Sequence, residues 1–193
     1  MPNWCLTSYK FVGDKEEIAD LYNKLQSLND MPEPLVENGF GKLFLGCVVN
    51  LFGGDWKTIY CRGAIEYVEL CGENMIQLST YTAWGDMPDV WDFVCKNYPS
   101  IEYYYLAEEG GMEYYINSDT TGEYFPEKYY VLHAEGYSEY LDDDEELLEY
   151  IAEKIGAAKI ESIDQLDQLL EQYNKEHANE EIYYHKFELP KKQ

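Results

Sequence analysis

Between Ala64 and Ala83 the chain spells out a β-hairpin. Ala64 to Leu70 alternates apolar and polar, Gly72-Glu73-Asn74 turns, and Met75 to Ala83 returns with the same period of two. That period puts successive side chains on opposite faces of a sheet, so the centre of the chain is committed to antiparallel pairing. What flanks the hairpin then decides the fold.

Residues 4–12 read as a strand ended by Gly13-Asp14, and Asp14 with Glu17 offers a capping-box start to a helix. That helix lines up Ile18, Leu21, Tyr22, Leu25 and Leu28 on one face until Pro32 and Pro34 stop it. The stretch 35–60 shows an apolar run from Leu43 to Leu51 and a turn at Gly53-Gly54, with no clear period. After the hairpin, Asp86 reads as the N-cap of a helix that has Pro88 in its first turn and buries Val90, Trp91 or Phe93, and Val94. Ile101 to Ala107, Met112 to Asn117 and Tyr124 to Ala134 read as strands. The order β-α-β-β-α-β predicts an α+β fold of the ferredoxin-like, split-βαβ kind with an extended antiparallel sheet.

Two amphipathic helices follow. One starts in Asp142-Asp143-Asp144-Glu145-Glu146 and buries Leu147, Leu148, Ile151 and Ile155; its acids face the positive end of the helix dipole. The other opens on Ser162 with Gln165 and carries Leu166, Leu169, Leu170 and Tyr173 at helical spacing. Ile182 to Leu189 reads as a closing strand, and 190–193 as a frayed end. The expected organisation is one α+β domain over 1–134, with 135–193 an acidic two-helix appendage packed on or beside it.

Charge restricts the partners. One arginine and 13 lysines stand against 38 acids, for a formal net charge of −24. Residues 134–193 hold 17 acids and 6 lysines, so the acidity is densest there without being confined to it. Such a field repels nucleic-acid backbones and anionic lipid, so no direct nucleic-acid partner is expected. No apolar run is long enough for a membrane span, and no signal segment opens the chain. Cys5, Cys47, Cys61, Cys71 and Cys95 are an odd, widely spaced set that reads as free thiols in a reducing cytoplasm. No metal, nucleotide or other cofactor motif is present, and no nucleophile has an evident base. The 20 tyrosines suit strands with one half-wet face.

Several aromatic landmarks occur together: the opening Met-Pro-Asn-Trp-Cys, the block Asn50 to Trp56, Tyr81-Thr82-Ala83-Trp84 ahead of Pro88, and Tyr105 to Gly110. Over roughly residues 2–132 they resemble the YubB-type ferredoxin-like family, bacterial proteins of plasmids, phages and chromosomes, some named antirestriction-like. The resemblance implies a fold and no established reaction. The family's Trp-Gly-Thr-Lys-Trp pattern is altered here, with Phe52 for the first Trp and Asp55 where Lys is expected.

Candidate site residues follow. Trp4, Trp56 and Trp84 lie in the resembling blocks and could line one groove, although packing between helix and sheet is the ordinary role of such rings. Arg62, the only guanidinium, could recognise an anion, with a structural ion pair the favoured reading among so many acids. Tyr105, Glu108 and Glu109 complete the candidate binding surface; Glu108, Glu109 or Asp86 would be the acid–base group of an enzyme, or plain surface acids. Asp142, Asp143, Asp144, Glu145 and Glu146 are the candidate acidic partner surface. The preferred expectation is a protein-binding or accessory module, monomeric or dimeric, in one version a DNA mimic offering carboxylates to a basic protein. The opposing one is an enzyme or binding protein for a small cationic or neutral ligand in a Trp/Tyr-lined cleft.

Overall fold

A computed structural model describes residues 2–191. Met1 of the opening pentapeptide, and Lys192 and Gln193 of the segment read as frayed, lie outside the described residues. The chain is α+β and divides into two units after Ser118.

The first unit contains strand β1 (Trp4–Val12), helices α1 (Lys15–Asp30) and α2 (Leu45–Leu51), the hairpin β2 (Gly63–Cys71) and β3 (Met75–Ala83), helix α3 (Pro88–Cys95), and strands β4 (Glu102–Glu109) and β5 (Tyr114–Asn117). Its antiparallel sheet has the order β2-β3-β1-β4-β5. The hairpin forms as its alternation requires, with Gly72 at φ 71° and a register shift at Glu66. In β1, Cys5, Thr7, Tyr9 and Phe11 are buried in strict alternation. The core joins Tyr9 and Phe11 to Ile18, Leu21, Leu25 and Leu28 of α1, Leu45 to Val49 of α2, and Val90, Trp91 and Val94 of α3. Each fully buried Leu contributes about 1.5–3 kcal/mol relative to exposure.

Two predicted caps are absent. Asp14 is the N-cap residue of α1, yet its side chain makes no cap hydrogen bond. Glu17 instead accepts from the Ser100 amide (2.9 Å) and hydroxyl (2.7 Å), so a distant serine takes up the groups a capping box would have used. Met87, not Asp86, is the N-cap of α3, and the Asp86 carboxylate turns inward to accept from the Tyr114 hydroxyl.

The second unit starts at Asp119. It contains β6 (Tyr129–His133), β7 (Ser138–Leu141), α4 (Asp144–Ile155), α5 (Ile163–Glu176) and β8 (Ile182–Lys186). Its three-stranded antiparallel sheet runs β7-β6-β8. Tyr129, Val131, Leu141, Leu147, Ile151, Leu166, Leu170 and Ile182 form its core. The expected boundary at 134 therefore moves to 118, because the strand at 129–133 pairs with β7 and β8 and with nothing in the first sheet. The expected helical appendage is likewise an α+β unit with a core of its own. Both of its helices are capped: Asp143 Oδ1 accepts from the Glu146 amide (2.9 Å), and Ser162 Oγ from the Gln165 amide (3.2 Å).

Candidate functional site

In the first unit, the connection between α1 and α2 and the one between α2 and β2 wall an open groove of about 750 Å³. Phe40, Phe44, Trp56 and Tyr60 supply its rings, with Glu37, Lys57 and Arg62 among the other lining residues. Local hydrogen bonds set this geometry. Asn38 accepts from the Phe40 amide (2.6 Å) and donates to the Val36 carbonyl (2.7 Å), an Asx turn that places Phe40. Phe44 bridges to Ala64 at the edge of β2, and the Ile65 amide donates to the Leu43 carbonyl (3.0 Å). The Phe44 ring covers Gly46 so closely that a Cβ there would meet it at 2.2 Å. Asp55 accepts from the Lys57 amide (3.0 Å) and, through its carbonyl, from Thr58 (2.9 Å), turning the chain just after Gly54.

The rings form a continuous file. Phe40 and Phe44 stack at 5.4 Å, and Trp56 meets Phe44 edge-on at 5.7 Å. Trp4 meets Phe40 edge-on at 6.1 Å and stacks on Tyr81 at 5.1 Å. The Lys57 ammonium lies 5.9 Å from the Trp56 ring centre. Arg62 is exposed, and its guanidinium has no ion pair or hydrogen bond among the described residues. Among the described residues the favoured structural ion pair is therefore not formed. Only the Arg62 backbone is tied down, its carbonyl accepting from the Ala83 amide at 2.9 Å.

The predicted residues separate. Trp56 and Arg62 share the groove, and Trp4 joins it through Phe40. Trp84 does not line it: it follows β3 at a left-handed φ of 76°, half-exposed, its amide donating to the Asn3 carbonyl. Tyr105 is core, 5.7 Å from the Tyr9 ring. Glu108 pairs across the sheet with Leu6 and Tyr115. Glu109 is 4% exposed and accepts from the Gly111 (2.6 Å) and Met112 (2.9 Å) amides, which closes the β4–β5 turn. Neither glutamate, nor Asp86, lines the groove.

Phe40, Phe44 and Tyr60 were missed because they sit in segments without periodicity; a ring every few residues between Phe40 and Tyr60 was the available signal. Cys61 also lines the groove, and burial pushes its thiol up to about 11, with Cys47 adding to the effect. At neutral pH it is a thiol donating to the Trp56 carbonyl (3.5 Å), not a thiolate nucleophile.

Much of the acidic run is used internally. Asp143 caps α4, Glu146 accepts from the Asp142 amide (2.7 Å), and Asp144 accepts from the Tyr129 hydroxyl (2.8 Å). Glu145 instead edges a second concavity of about 680 Å³, with Glu149 and Glu153 one and two turns on. Leu148, Ala152, Ala157 and Ile160 form its apolar lining. Among the described residues no three His, Cys, Asp or Glu side chains gather as a metal site requires, and no helix is long and apolar enough to cross a membrane. No family model, no curated protein and no solved structure matches this chain.

Proposed function

We propose that this protein works by binding a partner protein, without chemistry of its own, and that the groove at Trp56 takes a segment of that partner. One observation carries this reading: a file of rings (Phe40, Phe44, Trp56), extended behind Phe40 by Trp4, walls an open groove whose size falls in the usual range for binding sites, about 300–1,000 Å³. Aromatic side chains and arginine are also the residues that dominate binding energy at protein interfaces. The protonated Cys61 thiol, and the use of Glu109 on a turn outside the groove's lining, argue against catalysis in this groove.

The ferredoxin-like reading belongs to the same proposal. It is supported by the order β2-β3-β1-β4 with α1 and α3 as crossovers, which leaves α2 an insertion and β5 an added edge strand. Likeness to the YubB-type family goes with it, since Trp4 and Trp56 belong to the resembling blocks. Five free thiols support a cytoplasmic setting.

Panning a displayed random-peptide library on the full chain tests the groove. Enriched peptides should lose binding to the Trp56→Ala and Phe40→Ala variants while circular dichroism stays unchanged. Enrichment indifferent to both variants, or no enrichment, contradicts it. A second reading, a basic partner for the acidic surface, is favoured by Glu145, Glu149 and Glu153. They stand at successive i, i+4 positions where like charges cost about 0.2–0.5 kcal/mol per pair. Lysine-rich peptides lost on Glu149→Lys, and not on Trp56→Ala, would mark that reading as the better one.

A further inference from the structure

We infer that the occupant of the groove is an acidic peptide segment, an Asp or Glu carboxylate next to an aromatic residue, with the carboxylate on Arg62 and Lys57 and the ring among Phe40, Phe44 and Trp56. This rests on the binding reading above and adds the chemistry of the partner.

The charge pattern is the first ground. In a chain with 14 cations and 38 acids, the groove is lined by two cations and one acid, Glu37. A cationic ligand, one of the occupants anticipated from the sequence, meets the wrong sign here. The second ground is that the arginine is unspent. Lys15, Lys24, Lys159 and Lys175 each hold a carboxylate, whereas the guanidinium, the best carboxylate partner available, holds none among the described residues. Its five N–H donors form a planar fork that matches a carboxylate in two parallel hydrogen bonds. The backbone beneath it is fixed by the Ala83 bond, so the fork is presented from a set position at the start of β2.

The third ground separates a peptide from a polyanion. Repulsion from a charge of −24 accumulates with every phosphate of a nucleic acid, while a single carboxylate meets it once and gains the local pair. The ring requirement comes from the walls. Stacked Phe40 and Phe44, with Trp56 edge-on, offer both faces and edges to an incoming aromatic side chain.

Three terminally blocked peptides test this on the full chain, with Phe-Asp, Phe-Asn or Phe-Lys in one Gly/Ser frame. Titrations follow the Trp56 indole N–H by NMR, assigned with Trp56→Phe. The Phe-Asp peptide should move that resonance and bind about 10-fold tighter than Phe-Asn, with Phe-Lys weakest. Arg62→Ala should erase the Asp-over-Asn preference and Arg62→Lys restore part of it. Because Arg62 is exposed, neither variant disturbs packing, and circular dichroism checks this. Equal binding of Phe-Asp and Phe-Asn, or a preference that survives Arg62→Ala, overturns the carboxylate inference and leaves the groove standing. If none of the three moves the Trp56 indole, the inference and the groove both fall.

Discussion

Asp119 and Asp86 put one side chain to opposite uses. Asp119 is 6% exposed and gathers the amides of Thr121 (2.9 Å), Gly122 (3.1 Å), Tyr124 (2.7 Å) and Phe125 (3.0 Å) with the Thr121 hydroxyl (2.7 Å). Burial alone would raise its pKa; the hydrogen-bond donors, led by the Phe125 amide and the Thr121 hydroxyl, outweigh burial and bring it down to about 2. The folded value lies below the unfolded one of about 3.9, so its contribution is present above pH ~4 and is lost as pH falls towards 2. Asp86 goes the other way. Burial raises it, only partly offset by the hydroxyls of Tyr114 and Tyr105, so its ionised form opposes folding as pH rises through the folded value. Asp119→Asn should cost about 2 kcal/mol at pH 7 and far less near pH 2. Asp86→Asn, which keeps an acceptor for Tyr114, should leave stability at pH 7 unchanged or higher. Urea unfolding of both variants across pH reads this out. All four tryptophans (Trp4, Trp56, Trp84, Trp91) lie in the first unit, so their fluorescence follows Asp86, and circular dichroism follows Asp119. A destabilised Asp86→Asn at pH 7, or an Asp119→Asn loss that does not shrink in acid, contradicts these assignments.

At the scale of elements, whatever has a period could be read from the residues. The hairpin 63–83, β1 and the apolar faces of α1, α4 and α5 all follow from spacings of two or about 3.6. Helix α2 could not be read in this way: Leu45 to Val49 are all buried, so no polar face marks a period. Strands β6 and β8 were legible as strands and β7 was not, while the pairing of β6 with both is a long-range choice that local pattern does not encode. The site divides similarly. Trp56 and Arg62 stand out by residue type, whereas the groove that unites them is made by aperiodic connections, and the spare state of Arg62 is a fact of space. The pairing of β6 carries a prediction. A chain ended at residue 134 keeps β6 and removes β7 and β8, leaving Tyr129 and Val131 without their sheet. It should aggregate more in light scattering than a chain ended at Ser118. Equal behaviour of the two shortened chains would mean β6 is held by something else.

Over the whole molecule the charge of −24 is a background against which local exceptions are informative. Three of the five acids in 142–146 serve caps or hydrogen bonds, which takes weight from the idea that the run is a partner surface as such. The exception of opposite sign is the pair Lys57 and Arg62 beside the ring file of the first unit. We propose that this groove is where the protein meets its partner. Amide shift mapping of the full chain with a peptide selected by panning tests it most directly. The largest perturbations should fall on Phe40, Phe44 and residues 56–62, and fade in Trp56→Ala. Perturbations centred on α4, or spread evenly over both units, would contradict the claim.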